Sequence, residues 1–386
     1  MRAFLKNMEA GAHQNLQTRK ILQYLLKERG KTIPEIRDFC NLSLPTTTKF
    51  VNELLENKLL IETGKKESTG GRPPTLYSLN PDMGYIVGVE LLLKSFRMSV
   101  INLNHEVIYE YETDNFDISK QEEAFDFLVR TVPSLIATKE IPKDHILGVG
   151  IGITGRVDVE KGISYTYLNF DEPLTKILEK RWEYPVFIDN DTHFMTIGEQ
   201  IFGLARAKQN VVYVNLSRGL AVGIISNGQI HTGHSGFAGE FGHIAFADNN
   251  KQCICGKKGC LSTVVSGEAI EDVYTEKTGK QLHYRDILEL SKQGDKIANE
   301  ILTEAGEQLG KALSFLIQVL NPELLILGGR FAYIGEYLKY AIIKGMNLHT
   351  LPQLVSDCTI QISQLGGKAE ILGAYALVMD RVFELH

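Results

Sequence analysis

Residues 233–260 read GHSGFAGEFGHIAFADNNKQCICGKKGC, and the rest of the chain is organised around this stretch. A glycine-rich turn ends in Glu240 and His243, and a cysteine cluster follows at Cys253, Cys255 and Cys260. Three thiolates and an imidazole are the donor set of a closed tetrahedral zinc site. In C-x-C-G-x-x-G-C, Gly256 and Gly259 let the chain fold back so that the sulfurs converge. The alternative, three free thiols in a loop, would pack three of the chain's five cysteines into eight residues without a reason. His243 would belong to the metal site (His243, Cys253, Cys255, Cys260) and to a polar pocket at once.

The run G-x-x-G-x-A-G-E-x-G-H, carried by Gly233, Gly236, Ala238, Gly239, Glu240, Gly242 and His243 and followed by the cysteine pattern, resembles the ROK family of sugar kinases and sugar-responsive repressors. The resemblance extends from about Met83 to the C-terminus. It implies an α/β, two-lobed actin-like (ribonuclease H-like) sugar-kinase fold over residues 81–386, with ligand in the cleft between lobes and a zinc loop at 243–260.

At 386 residues the chain exceeds what one hydrophobic core organises. Its 44% apolar and 23% charged residues are ordinary for a globular protein. No apolar run approaches a membrane span and the N-terminus lacks a signal-peptide pattern, so a cytoplasmic location is expected. Cys40 and Cys358 are isolated and read as small buried hydrophobes. The net charge of −6 conceals an asymmetry: residues 1–80 carry 13 Lys and Arg against 8 Asp and Glu, a net of +5, which leaves −11 for the remainder. A basic head on an acidic body suggests that the head meets a polyanion.

Residues 1–80 read as a winged helix-turn-helix. Ile21, Leu22, Leu25 and Leu26 repeat at helical spacing. Thr32-Ile33-Pro34-Glu35 has the form of a capping box, with Ile33, Ile36 and Phe39 expected on the buried side of a short second helix. Ser43 caps a third helix, which would present Leu44, Thr46, Thr48, Lys49 and Asn52 to a major groove. Two strands flank a loop over residues 62–74 that holds Lys65, Lys66 and Arg72. Its Gly-Gly-Arg-Pro-Pro segment resembles the wing of ROK repressors, where an arginine enters a narrow minor groove. Operator DNA is the expected partner; a protein-interaction role for the same fold is the alternative.

The body alternates strands and helices, and no internal repeat is legible. In the family's kinases the first hairpin carries an aspartate and a Gly-Gly-Thr turn that cradles phosphates. The matching stretch here is Glu90-Leu91-Leu92-Leu93-Lys94-Ser95, whose leucines should obstruct the cradle. A second phosphate loop at residues 216–223 keeps only Gly219 and Gly223. The adenosine-side motif keeps Gly328-Gly329 but has Arg330 in place of a third glycine. Lys94 and Arg330 leave a phosphorylated effector as a minor reading.

The sugar side is better preserved. The resemblance assigns sugar contacts to Gly155, Arg156, Asn169, Asn190, Asp191, Glu240 and His243. Asp191 matches the base that accepts the proton of the phosphorylated hydroxyl. Without a phosphoryl donor that carboxylate is a hydrogen-bond acceptor only. Asn190 and Asp191 also suit a plain helix cap. Ser262 stands where kinases carry a glutamate.

These readings lead to a sugar-responsive transcriptional repressor, a homodimer or tetramer, with structural Zn2+, no membrane association and no phosphotransfer activity. The alternative is an ATP-dependent sugar kinase with an appended DNA-binding domain. A third reading is control by a protein regulator.

Overall fold

The head follows from its caps. The computed structural model describes residues 13–67, 73–246 and 249–384. In it α1 (His13–Lys27), α2 (Ile33–Cys40) and α3 (Leu44–Glu56) form the expected helix-turn-helix. Both arms of the capping box are present: the Glu35 amide donates to Thr32 Oγ1 at 3.4 Å, and Glu35 Oε2 accepts from the Thr32 amide at 2.8 Å. Asn41, at φ 54°, ends α2, and Ser43 Oγ accepts from the Thr46 amide at 3.3 Å to open α3.

Ile21, Leu22, Leu25, Ile36, Val51 and Leu54 form the buried seam. Phe39 departs from expectation. It is 54% exposed and lies face to face with Tyr24 at 4.1 Å, while Cys40 takes the core position. At about 100° per residue, Ile33, Ile36 and Cys40 fall on one side of α2 and Phe39 at its margin.

The wing is β1 (Leu60–Lys65) paired antiparallel with β2 (Thr75–Leu79). Lys65 therefore sits on a strand, opposite Thr75, and not in the loop. Arg72 lies outside the described residues.

Past a short turn at Pro81–Met83 the chain enters the first of two compact units. This unit comprises the chain through Ile153, Val159–Asp189 and everything from Ala374 on, so it includes the head. Its sheet is built from β3 (Tyr85–Leu91), β4 (Phe96–Asn102), β5 (Val107–Thr113), β6 (Ile146–Ile153) and β7 (Val186–Asn190), in the order β5-β4-β3-β6-β7. β3 and β6 are parallel and buried along their whole length, as their near-continuous apolar sequences require. β5 alternates, as an edge strand with one solvated face should.

The second unit comprises Thr154–Asp158 and Asn190–Gly373. It contains α4 (Asp191–Phe202), β8 (Val211–Leu216), β9 (Leu220–Ser226), β10 (Gln229–Ile230), α5 (Gly267–Thr278), α6 (Lys296–Leu320), β11 (Leu324–Gly328) and β12 (Thr359–Ile362). Its sheet order is β10-β9-β8-β11-β12, with β8 and β9 antiparallel and β8 and β11 parallel. Numbered within each unit, both sheets run 3-2-1-4-5. The chain does repeat itself, in topology and not in sequence.

The last helix, α7 (Ala369–Phe383), divides between the units at Gly373 and Ala374. Its second half packs on β6, where a Cβ at Gly150 would stand 3.0 Å from the Ala374 carbonyl. It then meets the head. Arg19 pairs with Glu384 at 2.8 Å, and Gln23 Nε2 donates to the Phe383 carbonyl at 2.7 Å. Both side chains bring positive charge or donors to the carbonyl end of a helix.

Candidate metal centre, pocket and DNA-facing helix

The cysteine knuckle is held by its own backbone. The Cys253 amide donates to Lys257 O at 2.8 Å and the Gly256 amide to Cys253 O at 2.9 Å, with Gly256 and Gly259 at φ 86° and 72°. Isolated bridges join Gln252 to Lys258 and Ala245 to Cys260. One ligand atom from each of His243, Cys253, Cys255 and Cys260 lies within 4.8 Å of all the others. Cys255 and Cys260 sulfurs are 3.5 Å apart, and Cys253 Sγ is 3.4 Å from His243 Nδ1.

Donors about 2.0–2.3 Å from one tetrahedral ion are separated by roughly 3.3–3.8 Å, so the cluster fits a divalent cation that accepts sulfur and nitrogen. Burial pushes Cys260 up to about 12, whereas the Lys257 amide draws Cys255 below the usual thiol range. A bound cation holds such thiols as thiolates and removes the conflict. Ser262, which opens a single helical turn, puts its hydroxyl 3.6 Å from Cys253 Sγ. It serves the knuckle.

With Nδ1 facing the sulfurs, His243 Nε2 faces Glu240 at 3.7 Å. The turn before them depends on glycine. A Cβ at Gly236, Gly239 or Gly242 would run into the carbonyls of Val157, Val222 and Leu220, and Gly236 and Gly239 have positive φ.

At the start of α4, Asn190 caps the helix: its Oδ1 accepts from Thr192 at 2.9 Å and from His193 at 3.3 Å, and its Nδ2 donates to Gly155 O at 2.8 Å. Asp191 is buried, with Oδ1 accepting from the Thr192 amide at 2.7 Å. Asn215 Nδ2 donates to Thr192 Oγ1 at 2.9 Å and so fixes the group behind Asp191. Sequence reading missed Thr192 and Asn215, because their link joins α4 to β8 across 23 residues. Arg156 is exposed, its guanidinium 5.7 Å over the Phe237 ring. Six of the seven expected sugar contacts thus lie in the second unit. Asn169 is exposed in the first, its amide donating to Gln121 Oε1 at 3.1 Å.

The phosphate-side loops are closed. In the hairpin after β3 the Leu92 amide donates to Ser95 O at 3.0 Å, Leu93 O accepts from the Ile118 amide at 3.2 Å, and Lys94 is tied to Asp117. Glu90 is buried opposite Arg97, 3.4 Å away. The second loop shrinks to a turn at 217–219, since Ala221 and Val222 are rungs of β9 opposite Asn215 and Val214. Arg218 there pairs with Glu268 and Glu271 of α5 at 3.0 and 3.5 Å. Gly328 and Gly329 have reasons of their own: a Cβ on Gly328 would strike the Tyr213 ring, and Gly329 has φ 73°.

On α3, Leu44 is 48% exposed, and Pro45, Lys49 and Asn52 are exposed beside it. Thr46 and Thr48 are half-buried, with Thr48 Oγ1 donating to Leu44 O at 2.9 Å. Pro45 was not among the residues expected to face DNA; its spacing of four to Lys49 and seven to Asn52 places it on the same face. Lys65 is exposed at the end of β1, whereas Lys66 reaches back to Glu35 at 2.7 Å and holds that carboxyl down near 2.

The ROK family profile matches residues 86–381, and a profile described as winged helix-turn-helix DNA-binding matches residues 14–60. The xylose repressor of Caldicellulosiruptor bescii is 28% identical over 93% of this chain and 94% of its own length. The glucokinase of Thermotoga maritima is also 28% identical, over 77% of this chain and 98% of its own length. The crystal structure of a ROK family transcriptional regulator, a homolog of the E. coli MLC protein, superimposes with a TM-score of 0.78 at 25% identity, covering 96% of this chain and 97% of that one. The sheet order, the His–Cys cluster and the family match over residues 86–381 together place this chain in the ROK family, with an N-terminal winged helix-turn-helix.

Proposed function

We propose that this protein is a sugar-responsive transcriptional repressor without phosphotransfer activity, comprising a DNA-binding domain over residues 1–80 and a sugar-binding domain over residues 81–386. The observation that carries the reading is a winged helix whose third helix exposes its start, in one chain with a kinase-like body whose phosphate-side hairpin has its Leu92 amide bonded to the Ser95 carbonyl. Similarity to repressors over nearly the full length supports it.

The cluster would hold Zn2+ as a structural ion, since four protein ligands leave no open position. The ion would fix His243 through Nδ1 and present Nε2, with Glu240, Asp191, Asn190, Arg156, Gly155 and Asn169, to the hydroxyls of a free sugar. Lys49, Asn52, Thr46, Thr48 and Leu44 would enter the major groove, with Lys65, Lys66 and Arg72 on the wing. Exposed Phe315 and Val319, four apart on α6, support assembly into a homodimer.

By linkage, sugar weakens operator binding only if it favours one arrangement, and DNA then weakens sugar binding by the same factor. The test is thermal denaturation against free sugars, sugar phosphates and ATP, followed by DNA binding with and without the sugar that shifts the midpoint. Sugar that leaves DNA affinity unchanged would sink the regulatory reading.

The second reading, a sugar kinase with a DNA-binding head, rests on Asp191, which is buried and held at the start of α4. ATP-dependent phosphorylation of a hexose, abolished in Asp191→Ala, would establish it.

A further inference from the structure

We infer that α3 recognises its DNA site chiefly through thymine 5-methyl groups, contacted by Leu44 and Pro45. The inference rests on the DNA-binding reading above and specifies what that helix reads.

Four observations carry it. The first turn of α3 exposes apolar surface where a helix starting at solvent would ordinarily be polar: Leu44 is 48% exposed and Pro45 is exposed next to it. The hydroxyls nearby are already engaged, Thr48 Oγ1 donating to Leu44 O at 2.9 Å and Thr46 Oγ1 lying 2.7 Å from Ser43 Oγ. The helix start offers little to a phosphate, because Pro45 has no amide hydrogen and the Thr46 amide is taken by Ser43 Oγ at 3.3 Å. Glu53 and Glu56 are exposed further along and would repel the DNA backbone, so contact is confined to the part of α3 before Glu53.

No arginine stands on α3, which leaves Lys49 as its one cation for guanine. Among the four bases only thymine presents an apolar group in the major groove, its 5-methyl. Leu44 and Pro45 bury that methyl, while Asn52 remains the one side chain with the paired donor and acceptor that suit adenine.

The experiment selects short random-sequence duplexes on the full-length, metal-loaded protein, then replaces each enriched thymine by deoxyuridine, which removes the methyl and nothing else. A methyl buried against Leu44 or Pro45 is worth about fourfold in affinity. We expect that loss at one or two positions of each half-site, and its disappearance in Leu44→Ala, whose thermal midpoint should match the parent because the side chain is exposed. Pro45→Ala, measured the same way, reports the second contact. Uridine duplexes that bind as tightly as thymine duplexes, or enriched positions that are guanines, would overturn the inference and leave DNA binding intact. Failure to enrich any duplex would instead remove the DNA-binding reading on which it stands.

Discussion

The turn at residues 233–243 and the hairpin at residues 92–95 fall where the resemblance to the family's kinases puts sugar and phosphate, and they treat glycine in opposite ways. In the first, Gly236, Gly239 and Gly242 each press against a neighbouring carbonyl, so no side chain fits whether or not a ligand is bound. In the second, leucines stand where the kinases carry glycine, and the Leu92 amide donates to the Ser95 carbonyl, where a phosphate cradle would need it free. Gly328 and Gly329 belong with the first kind: Tyr213 and the backbone need them, so their presence says nothing about nucleotide. A motif glycine is informative about ligand only where its own fold would tolerate a side chain.

The comparison can be broken at four places. The largest effect is expected for Cys260→Ser, which removes one of the four groups proposed to hold zinc, and a buried one. Bound zinc should fall from about one equivalent per chain to near none, with a loss of several kcal/mol of stability, because metal binding and folding of such a knuckle are one process. Elemental analysis and thermal denaturation would check both.

Next is Gly239→Ala, which combines a φ of 94° with a Cβ driven into the Val222 carbonyl. A cost of about 1–3 kcal/mol is expected, against a change of less than ~1 kcal/mol for Leu93→Gly at the half-buried hairpin position. Equal costs in urea titrations would mean that the two loops do not differ in their need for glycine.

A smaller effect concerns pH. The hydrogen bond from Lys94 holds Asp117 down near 2 against its ordinary 3.8. A carboxyl depressed on folding contributes stability that is complete above the ordinary value and lost as pH falls through the folded one. The tie therefore persists at neutral pH and loosens only between about pH 4 and pH 2. An NMR titration of the Asp117 carboxyl with a midpoint near 4 would show that Lys94 is free to meet an anion.

The smallest expected effect is none. Replacing Leu92 and Leu93 together by glycine should give no ATP-induced rise in thermal midpoint, since Glu90 remains bound to Arg97 and Lys94 to Asp117. A clear rise with ATP and magnesium would show that the leucines alone had closed the site.

Much of this protein was legible in its residues because the signals are local. The capping box at Thr32 and Glu35, the Ser43 cap and the C-x-C-G-x-x-G-C knuckle each lie within a few residues, where spacing alone fixes geometry, and the wing strands pair across one loop. The burial of Cys40 was legible, but the exposure of Phe39 was not, since a short helix leaves room for a second apolar residue until a neighbour such as Tyr24 claims it.

Only the tertiary structure revealed the twofold use of one sheet order, because strand pairing constrains which residues are buried and not which apolar residues they are. It alone decided that Asn190 is a helix cap bonded to Gly155, that Asp191 is backed by Thr192 and Asn215, and that Arg19 and Gln23 clasp the end of the last helix. These contacts join residues tens to hundreds of positions apart, and pairings over such distances leave no periodicity in a single chain.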